Sequence, residues 1–288
     1  MTLNQVYNGN NIDEVVEILG KYGRDAKIIA GGTDIVIALK NEKISPKVLI
    51  DITKIADLKD IEDDGEYIKI GAGVTFTQII RNPLFQGNLY GLYKACRMVG
   101  SPQIRNKGTI GGNIANGSAA ADSIPPLIAL GSKVKLLSID GTREIAIEDY
   151  YNDPIKENEI LTTITFKKPK ENQILTFAKL GLRKALAISR LTSATFIEFD
   201  DEDFVKSIRV ASGALGKYPM REYEVEKYLI GKKIEAKTIE GAIGTIQSSM
   251  DERLKGRATL PYKRVAISGI LKEAMELAVK NKGGVKEW

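Results

Sequence analysis

Short apolar runs separated by glycine-rich turns fill the first half of the chain and predict alternating helices and strands. Apolar residues recur at helical spacing after Asn11, a residue type that suits the cap of a helix. Uninterrupted apolar stretches of about four residues instead predict short buried strands. The predicted elements are a helix over 15–19, a strand over 27–30, a helix over 35–40, strands over 48–51 and 67–70, helices starting near 75 and covering 90–99 and 124–130, and strands over 133–138 and 159–166.

A polar, proline-marked stretch over residues 167–170 separates this part from the remainder. Beyond it, the pattern predicts strands over 176–179, 192–199 and 205–211, followed by helices over 222–229, 238–248 and 262–281. Strands followed by helices are typical of an α+β domain. We therefore predict a first domain over 1–170, with subdomains of about 1–55 and 56–170, and a second domain over 171–288.

The charge balance argues against nucleic acid as a partner. The net charge is +5, from 42 basic and 37 acidic residues among 288, and the two signs are interleaved along the chain. A nucleic-acid footprint would instead cluster its basic residues. No apolar run approaches the roughly 18–20 residues that span a bilayer, and no basic stretch followed by an apolar run opens the sequence. We expect a cytoplasmic protein that binds neither nucleic acid nor membrane.

The chain contains no histidine and a single cysteine, Cys96. The lack of histidine excludes histidine general bases, histidine-ligated metals and a flavin attached through histidine. One cysteine supplies too few ligands for an iron–sulfur cluster or a cysteine-rich zinc site. We interpret Cys96 as part of a buried helix face and predict no metal site. Any iron–sulfur cluster that serves this chain must therefore be held by another chain.

The first candidate for chemistry is the glycine turn Ala30-Gly-Gly-Thr-Asp34, between a predicted strand and a predicted helix. Backbone N–H groups at such a turn attract phosphate, and glycine lets the phosphate approach closely. Thr33 adds a hydroxyl donor, and Thr33 or Asp34 can cap the helix. A plain strand–turn–helix with a capping Asp34 is an open alternative.

The second candidate is a longer loop, Gly108-Thr-Ile-Gly-Gly-Asn-Ile-Ala-Asn116. Its spacing differs from both the dinucleotide fingerprint and the P-loop. A segment of so many small and polar residues loses much conformational entropy on folding, which is costly unless something packs against it. Beyond the segment, the carboxylate of Asp122 could accept hydrogen bonds from a ribose diol. Two separated loops of this kind predict a long, diphosphate-containing cofactor, with a glycine-rich structural crossover as the alternative.

These residues resemble a known family. The segment GSPQIRNKGTIGGN over 100–113, the AAAD sequence over 119–122 and Pro125-Pro126 resemble the flavin subunit of molybdenum hydroxylases, such as the medium subunits of xanthine and aerobic carbon monoxide dehydrogenases. The AGGTD turn is similar to that family's first FAD loop, and residues 159–161 and 179–190 resemble its later elements. The resemblance implies a vanillyl-alcohol-oxidase (PCMH)-type FAD-binding domain of two α/β subdomains, followed by a C-terminal α+β domain with an antiparallel sheet and helices.

The resemblance also implies which residues bind FAD, with the pyrophosphate between the two glycine loops and no catalytic side chain. The implied cofactor-binding residues are Ile28, Ile29, Ala30, Gly31, Gly32, Thr33, Asp34, Ile35, Val99, Gly100, Gly108, Thr109, Ile110, Gly111, Gly112, Asn113, Asn116, Asp122, Leu161 and Arg190. A cation near the flavin would raise its potential, and Arg183, Lys184 and Arg190 are the candidates. A solvated basic surface is the alternative for these three.

By resemblance, the chain is the FAD-binding electron-transfer subunit of a multi-subunit, xanthine dehydrogenase-like enzyme. Its partners would be a molybdopterin-binding large subunit and a [2Fe–2S] small subunit. Its acceptor would be NAD+, with oxygen and ferredoxin as open alternatives. Two alternatives stay open: a standalone FAD-dependent oxidoreductase of the same fold acting on a small alcohol, and a non-catalytic nucleotide-binding module. The substrate is open as well, since its specificity would lie on the molybdenum subunit.

Overall fold

The computed structural model describes residue 3, residues 5–183 and residues 186–282. The α-helices are α1 (Ile12–Tyr22), α2 (Ile35–Lys40), α3 (Phe76–Arg81), α4 (Tyr90–Arg97), α5 (Pro102–Lys107), α6 (Ile110–Asn116), α7 (Ile124–Ala129), α8 (Ile147–Tyr150), α9 (Tyr223–Leu229), α10 (Ala236–Arg253) and α11 (Leu260–Lys280). The strands are β1 (Gln5–Asn8), β2 (Ala26–Ile29), β3 (Val48–Asp51), β4 (Ile61–Asp63), β5 (Tyr67–Gly71), β6 (Lys133–Ser138), β7 (Gly141–Ala146), β8 (Ile160–Lys167), β9 (Gln173–Gly181), β10 (Ser189–Phe199), β11 (Val205–Gly213) and β12 (Met220–Arg221). This combination confirms the predicted α+β class.

The chain forms two units from interleaved segments. The first unit consists of Met1–Gln78, Pro102–Gly117 and Ser132–Lys168, and the second of Ile79–Ser101, Ser118–Gly131 and Pro169–Trp288. The two domains predicted from the sequence, 1–170 and 171–288, are each one continuous stretch of chain, and that division stays a prediction.

A small parallel sheet begins the first unit, with the strand order β1-β3-β2. Helix α1 is capped by Asn11, as the sequence indicated, because the Asn11 side chain accepts a hydrogen bond from the Glu14 N–H. Its apolar face places Val15 and Leu19 in a core with Ile50 of β3. Because the three strands are parallel, their carboxyl ends lie at the same edge of the sheet. The turn that follows β2 is therefore at that edge.

The second sheet of the first unit has the order β4-β5-β8-β6-β7, and its strand pairs are antiparallel. Ile70 of β5, Ile164 of β8 and Val134 of β6 are cross-strand neighbours and are fully buried. Alternating side chains of these strands therefore build the sheet's apolar face.

The second unit is built on an antiparallel sheet of order β12-β11-β10-β9. Helix α11 lies against β9 and β10, and α10 packs on α11. Ile197, Val210, Leu271 and Met275 lie in their shared core. Thr176 is buried there too, and its hydroxyl donates to the Ala274 carbonyl at 2.8 Å. Within the part of the chain that the structure describes, no helix is both long and apolar enough to cross a bilayer.

The structure adds elements that the sequence pattern did not predict. Strand β1 was missed because it is only four residues long and largely exposed, so it has no apolar alternation. Helix α6 falls in the segment interpreted as a loop, and α5 falls in the stretch just before it, for which no element was predicted. Helix α6 contains two adjacent glycines, which disfavour helix, and it forms because Thr109 caps it and it packs against β8.

Candidate functional site

The two glycine segments come together inside the first unit. The backbone of Gly31 lies so close to the end of α5 that an added Cβ would stand 1.8 Å from the Lys107 carbonyl oxygen. Real side chains never approach a backbone oxygen that closely, so glycine is required by this contact. The turn at 30–34 therefore touches the backbone where the second glycine segment begins.

The first turn presents unused backbone donors. Gly32 has a φ of +74°, which favours glycine. In the described residues, the N–H groups of Gly31, Gly32 and Thr33 donate to no carbonyl or side chain, and these residues are half-exposed. Successive free amides of this kind form a concavity suited to an anion. This is the arrangement that a phosphate group requires.

Asp34 does not cap helix α2 through its side chain, which corrects the cap prediction. Its carboxylate instead accepts hydrogen bonds from the Thr33 hydroxyl at 3.2 Å and from the Asn116 amide at 3.3 Å. Asn116 ends helix α6, so this contact is a second link between the two glycine segments. The free amides therefore lie on a turn held at both ends.

The second segment differs from the first in how its amides are used. The N–H groups of Ile110 and Gly111 donate to the carbonyls of Val74 and Ala72, each at 2.9 Å. The Gly112 N–H donates to the Thr109 hydroxyl oxygen at 3.1 Å. The backbone N–H groups in the first turn of α6 thus already have hydrogen-bond acceptors within the protein. The free amides therefore belong to the turn at 30–34 and not to the start of α6.

Leu161 is connected to this segment through a β-bulge. The pairing of β6 and β8 shifts between Lys135 and Leu136, so that Thr162 is the extra residue. The Ala72 N–H donates to the Thr162 carbonyl at 2.8 Å, and the Ala72 carbonyl accepts from the Gly111 N–H. Leu161 itself is buried, 5% exposed. The structure thus ties its strand to the second glycine segment by two hydrogen bonds in series.

The other predicted site residues lie in the second unit: Val99, Gly100, Asp122 and Arg190. Val99 and Gly100 follow helix α4 and are half-exposed, and Gly100 has a φ of +40°. Since φ in this range is strained for other residues, glycine suits the turn that ends α4.

Asp122 is engaged by protein donors. Its carboxylate accepts a 2.5 Å hydrogen bond from the Lys179 ammonium and another from the Ser189 hydroxyl. The side chains of Asp122 and Lys179 are only 6% and 3% exposed. Burial raises the pKa of the Asp122 carboxyl, while Lys179 and Ser189 act in the opposite direction. Contact with a ribose diol stays a prediction, and it would have to use the remaining lone pairs of this carboxylate.

Lys179 was not predicted as a functional residue, although it has a visible signal in the sequence. It stands in the otherwise apolar stretch LTFAKLG of β9, where a charged residue needs a partner. The Lys179 ammonium also donates to the Met98 carbonyl at 3.0 Å. It therefore joins Asp122 to the end of the segment that carries Val99.

Arg190 occupies a bulge in β10. The pairing with β9 shifts between Ser189 and Leu191, and Arg190 is the exposed residue between them. A bulge redirects its side chain relative to the ladder. The second candidate cation, Arg183, donates to the Leu186 carbonyl. The third, Lys184, lies outside the described residues.

Cys96 is fully buried in α4, as predicted, and burial raises the pKa of its thiol. A buried neutral thiol is a poor nucleophile and a poor metal ligand. Within the described ranges, no group of three or more aspartate, glutamate or cysteine side chains is placed to hold a metal ion. The free backbone amides at 31–33 are groups that suit an anion such as a phosphate.

Comparison with known proteins gives matches along nearly the whole chain. Residues 2–169 match the model described as the FAD binding domain in molybdopterin dehydrogenase, and residues 176–278 match the CO dehydrogenase flavoprotein C-terminal domain. The chain is 33% identical to the nicotinate dehydrogenase FAD-subunit of Eubacterium barkeri over 268 residues, 90% of each protein. It is 31% identical to the putative xanthine dehydrogenase FAD-binding subunit XdhB of Escherichia coli (strain K12) over 266 residues, also 90% of each. A solved structure of carbon monoxide dehydrogenase from Hydrogenophaga pseudoflava contains a chain that matches with a TM-score of 0.90 and 26% identity, covering 97% of this chain and 98% of that one.

Proposed function

This chain belongs to the FAD-binding subunits of the molybdopterin dehydrogenase family, and we propose that it carries electrons from the [2Fe–2S] clusters of a partner chain to NAD+. It is a flavoprotein subunit of an oxidoreductase, and its cofactor is FAD. When bound, FAD supplies the redox chemistry, accepting electrons and passing a hydride to the acceptor. The protein's own residues bind and orient the cofactor.

One observation carries the proposed binding mode: the three free amides at Gly31, Gly32 and Thr33. They would donate to the FAD pyrophosphate, and the contact of Gly31 with Lys107 would hold them in place. The second glycine segment would contribute the Thr109 hydroxyl and a close backbone approach. The full set of residues named from the family resemblance, from Ile28 to Arg190, is our proposal for the cofactor site.

The proposed partners are a molybdopterin-binding large subunit and a [2Fe–2S] small subunit. The chain's single cysteine is buried in α4, so this chain does not supply the thiolates of an iron–sulfur cluster. Relatives are named as FAD-subunits and medium chains, which are names for one chain among several. We further propose that the protein acts in the cytoplasm, where a lone cysteine stays reduced.

We also propose the domain division at the polar stretch over 167–170. Residues 1–170 would form the FAD-binding domain, with subdomains of about 1–55 and 56–170, and residues 171–288 would form the C-terminal domain. Proline at position 169 and the charged residues beside it suit a connection between domains.

The first test is the visible spectrum of the purified chain, recorded with and without added FAD and then after anaerobic addition of NADH. We expect a flavin band that NADH bleaches. A bound flavin that stays oxidised would leave FAD binding intact and refute NAD+ as the acceptor used by this chain. A chain that binds no FAD would refute the proposed site, and oxidation of a small alcohol by the isolated chain would favour the standalone oxidoreductase instead.

A further inference from the structure

A charged side chain, Arg143 of β7, lies on the apolar face of the second sheet of the first unit. Leu136 of β6 is the cross-strand neighbour of both Arg143 and Leu161 of β8. Cross-strand neighbours point to the same face of a sheet, so these three side chains form one row. The two leucines are buried, and the arginine is only 21% exposed. A charge in such surroundings needs partners, and the partners indicate what the residue does.

The partners of Arg143 lie in residues 151–159, here called the connecting segment, which joins α8 to β8. The Arg143 Nε and Nη2 atoms donate to the two carboxylate oxygens of Glu159 at 2.7 and 2.8 Å. Its Nη1 atom donates to the carboxylate of Asp153. The Glu159 carboxylate, 6% exposed, also accepts a 2.7 Å hydrogen bond from the Lys156 N–H. One guanidinium thus holds both the middle and the end of the connecting segment.

The contact between Arg143 and Glu159 is a two-pronged ion pair. Burial alone would raise the pKa of the Glu159 carboxyl, but the hydrogen bonds from Arg143 and from the Lys156 N–H lower it below its usual value. A two-pronged contact fixes the orientation of a carboxylate as well as its distance. Compared with well-packed apolar side chains, a pair removed from water adds little net stability. What it does supply is a defined geometry.

That geometry bears on the start of β8. The β-bulge at Thr162 separates Leu161 from the regular part of the strand, and on the Leu161 side the strand pairs with β6 through Ile160 and Leu161. A slip of one residue in such a short stretch would turn each side chain to the other face of the sheet. The contact between Arg143 and Glu159 constrains this stretch from β7, on the far side of β6.

The connecting segment is also tied to the second glycine segment. It begins with Tyr151, whose hydroxyl donates to the Ile114 carbonyl of α6 at 3.4 Å. The Tyr151 ring packs edge-on against the buried ring of Tyr150, with 5.2 Å between the ring centroids. The segment that Arg143 holds therefore begins at a contact with α6 and ends at β8, so its conformation sets the position of Leu161 relative to α6.

We propose that Arg143 is a positioning residue for the cofactor: acting through Glu159, it holds Leu161 in the orientation in which this side chain contacts the flavin. The inference rests on the proposed function, which includes Leu161 among the FAD-binding residues. Arg143 makes no cofactor contact of its own, since its guanidinium is engaged by the connecting segment. Removing the guanidinium therefore lowers FAD affinity only by displacing Leu161.

The test is a double-mutant cycle on the full chain, with the dissociation constant of FAD as the readout. The variants are Arg143→Met, Leu161→Ala and the two combined. The control is Arg24→Gln, because Arg24 pairs with Glu157 of the same connecting segment, but the two side chains are 86% and 49% exposed. We expect Arg143→Met and Leu161→Ala each to weaken FAD binding roughly 10-fold, the scale of one lost apolar contact. The combined variant should bind no more weakly than Leu161→Ala, and the control should bind like the wild type.

Two further readouts separate positioning from a merely structural role. Chemical unfolding of the FAD-free protein gives the stability of each variant. The visible spectrum at saturating FAD reports whether water reaches the flavin ring, which it does if Leu161 has moved. Arg143→Lys keeps the charge without the two-pronged geometry, so it should recover part of the FAD affinity. If Arg143→Met does not fold, Arg143→Lys takes its place in the cycle.

The outcomes distinguish this proposal from the proposed function. Dissociation constants and flavin spectra equal to those of the wild type in both Arg143 variants overturn the positioning role, even if the variants are less stable. Losses for Arg143 and Leu161 that add in full also overturn it, because Arg143 would then act elsewhere. NADH takes no part in the assay, so a wrong electron acceptor leaves the result standing. A wild-type chain that binds no FAD overturns the cofactor site and this proposal with it.

Discussion

Replacing Gly31 by alanine tests whether the turn at 30–34 positions its amides by contact with α5. The new Cβ would lie 1.8 Å from the Lys107 carbonyl oxygen and 2.4 Å from its carbon. An ordinary contact of a methyl group with a carbonyl oxygen is nearly twice as long, so the turn must move by roughly 1.5 Å. The obstacle is backbone rather than a flexible side chain, and rotamer changes therefore cannot relieve it.

This displacement has two measurable consequences. Overpacking of this kind costs about 1–3 kcal/mol of stability. A shift of 1.5 Å also breaks one of the proposed amide–phosphate hydrogen bonds, each worth about 1.5–3 kcal/mol, so we expect FAD binding to weaken roughly 10- to 100-fold. Quenching of FAD fluorescence on titration gives the dissociation constant, and thermal unfolding of the FAD-free chain gives the stability separately.

Gly244→Ala is the matched control, since Gly244 lies within α10 and an added Cβ meets no atom within 4 Å. It should leave FAD affinity unchanged and raise stability by about 0.5–1 kcal/mol, because alanine favours helix. A Gly31→Ala protein with the wild-type dissociation constant for FAD would refute the assignment of the pyrophosphate to this turn.

Three further substitutions address other parts of the structure. Gly111→Ala places a Cβ 2.5 Å from the Ala72 Cβ, and we expect a loss of about 1–3 kcal/mol in thermal unfolding. Lys179→Met leaves the Asp122 carboxylate buried without its cation, so chemical unfolding at neutral pH should show a loss of about 3–5 kcal/mol. The pKa of the Glu198 carboxyl is lowered from 4.5 to about 2, and the largest cause is the hydrogen bond from Lys206. A carboxylate whose pKa is lower in the folded than in the unfolded protein stabilises the fold at any pH above the unfolded-state pKa. This stabilisation disappears as the pH falls through the folded-state pKa. Replacing Glu198 by Gln should therefore cost about 1–2 kcal/mol of unfolding free energy at neutral pH and nearly nothing at pH 2.

The two substitutions of charged residues each have an exposed counterpart as a control. Lys272→Met removes a surface pair whose partners are both 57% exposed, and Glu144→Gln removes one whose carboxylate is 48% exposed. Both should change the free energy of unfolding by less than about 1 kcal/mol. A Lys179→Met protein as stable as the Lys272→Met control would contradict the buried ion pair, and a stability deficit of Glu198→Gln that does not shrink with acid would contradict the pKa argument.

The sequence alone determined features that depend on neighbours along the chain. Helix α2 and strands β3 and β6 have the predicted bounds, because periodicity and glycine punctuation are local signals. The two glycine segments were recognised in the same way, since their unusual composition is visible without knowing the fold. The family and its cofactor followed from those residues, and the comparisons confirm both.

Only the tertiary structure decided how the site residues are used. The sequence presents the two glycine segments as equivalent, yet the amides of Gly111 are bonded to Ala72 while those at Gly31 stay free. The pairing of Asp122 with Lys179 joins residues 57 positions apart, and the Gly31 turn meets the backbone of Lys107 at the end of α5. Hydrogen-bond partners and burial are set by segments remote in sequence, so no local pattern specifies them.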